Sequence, residues 1–241
     1  MRSRHSKILI IPDIHGRTFW KESYKDISDY EYVIFLGDYV DSYPSENISE
    51  EQTYNNFVEI IDFKKNNSNK VILLTGNHDW NYIDYRFIKS SRYKSSMFDK
   101  YNQLFTDNKD LFKVVFKYDN YLFSHAGITL GWLKEINLLD YENLNKEYID
   151  NLISYLSKIS FWRCGPDDFG SCVWADIHEL CDLDMLPENI YQIFGHTQLK
   201  EPIITDKWAC LDCRKSIILD NGIFKYWNSD EELPIRTLEE C

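Results

Sequence analysis

The sequence has no apolar run of membrane-spanning length, no repeat period, no tract of like charge and no Gly/Ser- or Pro-rich stretch. The first absence excludes a spanning helix, which needs about 20 consecutive apolar residues. The second excludes a solenoid or propeller built from short units. The others leave nothing resembling a linker in 241 residues, so a single domain over residues 1–241 is expected. Positive charge is also scarce: 27 Lys and Arg against 39 Asp and Glu give a formal net charge of −12. Such a surface repels a phosphate backbone, and neither a nucleic-acid nor a membrane partner is expected. An anionic substrate must then be attracted by something locally positive, which bound metal ions can supply.

Residues 1–7 have the basic character of the start of a signal peptide, but the apolar run behind them ends at Ile11 before Pro12-Asp13. That is too short for the hydrophobic centre of such a peptide, and a cytoplasmic protein is expected. The six cysteines are then expected as free thiols. Cys210-Leu-Asp-Cys213 has the spacing of half a zinc knot, which Cys164 or Cys172 could complete, but a lone pair at this spacing is a weak signal.

An apolar content of 44% with 27% charged residues is that of a globular protein. Short continuous apolar runs at Lys7–Pro12, Tyr32–Leu36 and Val71–Thr75 suit strands buried on both faces. Between the last two, Ser49 to Gln52 reads as a capping box, followed by Tyr54, Phe57, Val58 and Ile61 at helical spacing. Strands alternating with helices indicate an α/β arrangement. Residues 84–110 read as a mainly helical, solvated cap. Phe112–Phe116 and Tyr121–Ser124 read as a hairpin turning at Tyr118-Asp119-Asn120, and residues 149–159 as an amphipathic helix. Short strands follow at Tyr191–Phe194, Pro202–Thr205, Ala209–Asp212, Ser216–Leu219 and Ile223–Trp227. Asn221-Gly222 joins the last two, and an acidic tail from 229 to 241 is expected to fray.

The predicted strands lead directly into polar clusters: Asp13-Ile-His15-Gly16, Gly37-Asp38-Tyr-Val-Asp41, Gly76-Asn77-His78-Asp79, His125-Ala-Gly127 and Gly195-His196-Thr197. Five of the nine glycines and four of the six histidines fall in these segments, a concentration that points to a site at the carboxyl edge of a sheet. In Asp13-x-His15 both side chains leave one face of an extended segment and can share an ion. Asp38 is the best candidate for bridging two ions, with Asn77 adding a neutral oxygen and His125 and His196 nitrogens. Nitrogen and oxygen donors without cysteine suit Mn²⁺, Fe or Zn²⁺ better than Ca²⁺. Two such ions about 3.5–4 Å apart can clamp a phosphoryl group and ionise a bridging water.

In this order the five segments resemble the calcineurin-like metallophosphoesterase superfamily, most closely its phosphoprotein-phosphatase branch, with its phage and bacterial enzymes and symmetrical diadenosine tetraphosphate hydrolases. The resemblance implies a four-layer fold, a β-sandwich flanked by helices, and two divalent ions, manganese above others. Asp13 and His15 would bind the first ion, Asp38 would bridge, and Asn77, His125 and His196 would bind the second. His78 would protonate the leaving oxygen while Asp41 holds its imidazole, and the metal-bridging hydroxide would attack in line. The sequence departs from the branch after Asp41, where Ser42-Tyr43 stands in place of the usual Arg-Gly whose arginine grips phosphate. Arg17 and Arg163 are the candidates to replace it, guanidinium being suited to bidentate phosphate contact. Trp174-Ala-Asp176 resembles a Trp-x-Asp segment of the same branch. The expected activity is hydrolysis of a phosphate ester, on a phosphorylated small molecule or a phosphoprotein. Alternatives are hydrolysis of a dinucleoside polyphosphate or cyclic nucleotide, and a catalytically inactive scaffold.

Overall fold

The structure, a computed structural model, describes residues 7–23, 26–138 and 140–237. The three apolar runs form β1 (Lys7–Ile11), β2 (Tyr32–Phe35) and β3 (Val71–Leu74), which pair side by side in parallel. Phe112–Lys113 (β4) extends this sheet beyond β3. A second sheet contains β5 (Phe116–Tyr118), β6 (Tyr121–Phe123), β7 (Tyr191–Phe194), β8 (Ile203–Ile204) and β9 (Trp208–Cys210). Within it β6, β7 and β9 run parallel. The chain then returns to the first sheet as β10 (Ile217–Asp220) and β11 (Ile223–Tyr226), with β10 antiparallel to β1. Asn221 and Gly222 both take positive φ at this hairpin, as the expected two-residue turn requires.

Alternation along the strands generates the layers. Leu9, Ile11, Val33, Phe35, Val71 and Leu73 pack against Phe57, Ile60 and Ile61 of α1 (Glu50–Asn66). The intervening Ile8, Ile10, Ile34, Leu36, Ile72 and Leu74 face Phe123, Ile193 and Ala209 of the second sheet. Past α2 (Asn77–Ile83), Tyr101 and Phe105 of α3 (Phe98–Asp107) join the first helical layer. The outer face of the second sheet is covered by α4 (Leu130–Glu135) and α5 (Ile149–Leu156), whose Trp132, Leu133, Leu152, Ile153 and Leu156 cluster with Leu122. On the same sheet, Phe194 and Trp208 pack with Ile177 and Leu180. The result is the four-layer α/β sandwich that the resemblance implies.

The structure corrects several expectations. The capping box at Ser49 and Gln52 forms, but the stripe that α1 buries is Thr53, Phe57, Ile60 and Ile61, with Tyr54 and Val58 at its margin. The region expected as a solvated helical cap is helical chiefly over α3, which contributes to the core; residues 84–94 form an irregular loop with no helix. Phe112–Phe116 is not one strand. The chain leaves the first sheet at Lys113 and enters the second at Phe116, and Asn145 bridges the crossing: its Oδ1 accepts from Val114 N (2.9 Å) and Val115 N (3.3 Å), while its Nδ2 donates to Val115 O (2.8 Å). The part of the tail that is described is tied down, since Leu233 N donates to Phe224 O and Arg236 N to Ile204 O. The basic residues ahead of Lys7 and the last four of the tail lie outside the described residues. No described helix is long and apolar enough to cross a membrane.

Asn145→Ala leaves two backbone N–H groups and a carbonyl without partners at the crossing. We expect a stability loss of ~1–3 kcal/mol, visible as a lower urea midpoint with an unchanged slope; an unchanged midpoint would show that the bridge contributes nothing.

Candidate metal centre and active site

The parallel strands of both sheets end at the same place, and the polar clusters occupy the turns that follow them. Asp13 and His15 follow β1, Asp38 and Asp41 follow β2, and Asn77, His78 and Asp79 open α2 after β3. His125 follows β6 and His196 follows β7. The first and second sheets meet closely enough that His125 Nδ1 donates to Leu36 O (2.8 Å) and His196 N donates to Asp13 Oδ1 (3.0 Å). Two glycines make the approach possible by lacking a side chain. A Cβ on Gly76 would fall 2.1 Å from Asp38 Oδ1, and one on Gly195 2.2 Å from Asp13 Oδ1.

Asp79 fixes the arrangement from behind. Its carboxylate accepts from Asp38 N (2.8 Å), Tyr39 N (2.9 Å) and Gly76 N (2.8 Å), binding the turn after β2 to the turn after β3. Four of the expected site residues, His15, Asp38, Asp41 and His196, hold left-handed backbone angles with φ between 43° and 62°. Such angles cost non-glycine residues on the order of 1 kcal/mol each and concentrate at functional sites.

The chemistry of the donors shows what the centre suits. His125 uses its Nδ1–H on Leu36 O, so its Nε2 presents a lone pair; this faces Asn77 Oδ1 at 3.1 Å, His196 Nδ1 at 3.1 Å and Asp38 Oδ2 at 3.5 Å. His15 likewise donates Nδ1–H to Val40 O (2.9 Å) and turns the lone pair of Nε2 toward Asp38 Oδ2 at 3.4 Å. Acceptors confront acceptors here, an arrangement that a cation between them satisfies. Two groups have their ligand atoms within 4.8 Å of one another, His15, Asp38 and His78 in one and Asp38, His125 and His196 in the other, with Asp38 common to both. Burial, then the charge of Asp13, pushes the Asp38 carboxyl well above its ordinary range. Burial, reinforced by neighbouring positive charge, drives the imidazoles of His15 and His196 well down. Asp212, just past β9, adds another buried carboxylate that burial and Asp13 raise, and its Oδ1 is buried without a hydrogen-bond partner, as is His196 Nε2. Carboxylates and neutral imidazoles thus fit a divalent cation. Among the described residues, the groups able to hold a metal include no cysteine, so the zinc knot does not form.

His78, whose ring also belongs to the first group, has a different set of hydrogen-bond partners. Its Nδ1 is 2.7 Å from Asp41 Oδ2, and Tyr82 donates to the other Asp41 oxygen at 2.5 Å. Burial pushes the Asp41 carboxyl up to about 7 and, with the Arg92 charge, drives the His78 imidazole well down. Above a pH of about 7 the pair is a neutral ring donating Nδ1–H to a carboxylate, with Nε2 turned toward the cavity.

A cavity of about 500 Å³ opens onto these groups, lined by His15, Asp38, Asn77, His78, Arg92, Arg163, Trp174 and His196 among others. Of the two arginines expected to meet phosphate, Arg163 lines it but is ion-paired with Asp176 (2.7 Å) and bonded to Thr197. Arg17 does not line it: its Nε binds Glu46 and its NH1 donates to Asp13 O. Trp174 sets its ring edge-on to His196, consistent with the Trp-x-Asp resemblance. The residue missed is Arg92, which the loop 84–94 carries to within 3.2 Å of His78 Nε2. No periodicity or motif in that segment signals it.

A family model described as calcineurin-like phosphoesterase matches residues 6–199. No curated protein matches the chain at a significant level. Among solved structures, the chain resembles a protein serine/threonine phosphatase from Saccharomyces cerevisiae, itself described as similar to human phosphatase PP5. The TM-score is 0.54 at 13% identity, covering 98% of this chain and 84% of that one. At that identity the likeness speaks for the fold alone.

Removing one confronting acceptor should exchange metal binding for stability. We expect metal-free Asp38→Asn to be more stable than metal-free wild type by ~1–2 kcal/mol, and to lose the stabilisation that manganese gives the wild type. Urea denaturation with manganese and with chelator checks both halves; equal manganese stabilisation of the two proteins would contradict the assignment of this centre.

Proposed function

We propose, from the premise that this chain belongs to the calcineurin-like phosphoesterase family, that it is a hydrolase of phosphomonoesters working with two divalent metal ions. The observation that carries this reading is the double confrontation of lone pairs around Asp38, beside a histidine whose far nitrogen is held by a carboxylate. Asp13 and His15 would hold one ion, Asn77, His125 and His196 the other, and Asp38 both. When bound, the ions supply the positive charge that draws in a phosphate dianion, and they lower the pKa of water to that of a usable nucleophile.

The protein's own groups account for the remaining steps. Burial and the hydrogen bonds to Val40 O and Leu36 O fix the His15 and His125 tautomers, so that Nε2 of each is the ligand atom. Asp41 fixes His78 in the same manner, and Tyr82 holds Asp41, so His78 Nε2 is aimed at the cavity by a chain of two hydrogen bonds. Ser90 Oγ, 3.2 Å from His78 Nδ1 and bonded to Asn81, confines the ring further. The acid form is the imidazolium: once Nε2 takes up a proton from solvent, with Asp41 still accepting Nδ1–H, that proton is positioned for transfer to the departing oxygen, whose pKa would otherwise make it a poor leaving group. A phosphomonoester on a protein side chain is one proposed substrate, since the cavity of about 500 Å³ has room for more than a phosphoryl group.

With manganese supplied, the protein should release p-nitrophenol from p-nitrophenyl phosphate, and a chelator should abolish the release. His78→Asn should retain its manganese yet lose about 10²–10⁴-fold in rate on an alkyl phosphate, and much less on p-nitrophenyl phosphate, whose leaving group needs little protonation. Equal losses on the two substrates would mean that His78 is not the acid.

A further inference from the structure

We propose that Arg92 is the residue that grips the phosphoryl group of the substrate, a proposal that rests on the phosphomonoesterase reading above. Its guanidinium is positioned by three contacts. Nε donates to the Asp41 carbonyl (3.0 Å), the guanidinium carbon lies 3.8 Å from the centroid of the Tyr43 ring, and NH1 reaches Ser91 Oγ at 3.4 Å. The remaining arm, NH2, points to the lone pairs of His78 Nε2 (3.2 Å) and His15 Nε2 (3.4 Å). One of these nitrogens belongs to a proposed ligand and the other to the proposed acid, so the arm reaches the space where a phosphoryl oxygen must lie between metal and leaving group.

Charge balance singles out the same residue. Arg17 and Arg214 share the carboxylate of Glu46, Arg163 pairs with Asp176, and Arg86 pairs with Asp84 and Asp150, while Arg236 does not line the cavity. Among the described residues no carboxylate forms an ion pair with Arg92. A guanidinium seated in a cavity with no carboxylate in ion-pair contact, its charge felt by Asp38 and Asp41 only at longer range, can take a phosphate dianion as its direct counterpart. The backbone adds a separate indication. Arg92 holds φ at 68°, a left-handed angle unfavourable for a long side chain, and it directs the side chain across the mouth of the site to Tyr43. Tyr43 in turn meets His15 edge-on with centroids 5.1 Å apart, so one ring contacts both the guanidinium and a proposed ligand. The segment after Asp41 carries no arginine of its own, and the tyrosine found there is the surface on which Arg92 rests.

The test is calorimetric titration of the manganese-loaded protein with inorganic phosphate, with metal content measured on the same samples. Wild type should bind phosphate. Arg92→Ala should retain manganese and bind phosphate about ten- to hundredfold more weakly, the range for hydrogen bonds to a charged partner. Arg92→Lys, which keeps the charge and loses the fork, should recover part of the affinity, which a purely structural residue would not allow. Arg214→Ala removes a guanidinium already paired with Glu46 and should change the affinity less than about twofold, since screened charge at the rim counts for little. Phosphate binding by Arg92→Ala equal to wild type, loss of manganese in that variant, or an equal effect from Arg214→Ala would each overturn the proposal. Failure of loaded wild type to bind phosphate would overturn the phosphomonoesterase reading itself.

Discussion

The carboxylate of Asp79 accepts three backbone N–H groups, from Asp38, Tyr39 and Gly76, and these bonds hold the turn after β2 against the turn after β3. Without them nothing in the local sequence would keep Asp38 facing Asn77 and His78 from a different strand. The consequence runs outward in one direction. With its backbone held, Asp38 uses Oδ1 on His78 N (3.0 Å) and presents Oδ2 to His15 and His125. Asp79 lies at the start of α2, and its N–H partners offset part of the burial that, with the Asp38 charge, still pushes its carboxyl well up. The carboxylate that does no chemistry is thus the best satisfied one in the centre, and those facing the cavity are the least.

That asymmetry is how a fold can hold a site that opposes its own stability. Buried carboxylates crowd one another, imidazoles are kept neutral with lone pairs facing oxygen, and several backbone angles sit in a costly region. The layers around the site offset this cost with apolar contacts made on both faces of the first sheet. The pairing of the two sheets also decides the geometry, because the carboxyl ends of β1, β2 and β3 meet those of β6, β7 and β9. Chain segments some 180 positions apart then lie within one hydrogen bond of each other, as Asp13 and His196 do.

Much of this was legible in the sequence for a plain reason: residues with strong local preferences leave local marks. Both-face burial writes continuous apolar runs, and β1, β2 and β3 lie where those runs fall. The Asn221-Gly222 turn and the capping box at Ser49 are likewise set by neighbours in the chain. The metal-capable residues stood out because they follow strands on glycine turns, and the structure brings all six together with His78 and Asp41. Less was legible where the deciding partner is distant. Phe112–Phe116 looks like one strand until Asn145 takes the N–H groups at its middle. The buried stripe of α1 is rotated from the expected one because β1 to β3, not the helix, decide which face is covered.

The arginines separate the two kinds of information most clearly. The residue types, their order and their spacing were enough to determine the family and the four-layer fold and to nominate the candidate ligands, since each of these is encoded in short segments. Which guanidinium stands free at the site could be decided only by tertiary structure. Arg17 follows directly on the first motif yet is ion-paired with Glu46, 29 residues away. Arg92 sits in a segment without a motif and reaches His78 only because its loop folds back over Tyr43. Charge pairing acts through space over a few ångströms, and chain order carries no measure of that distance.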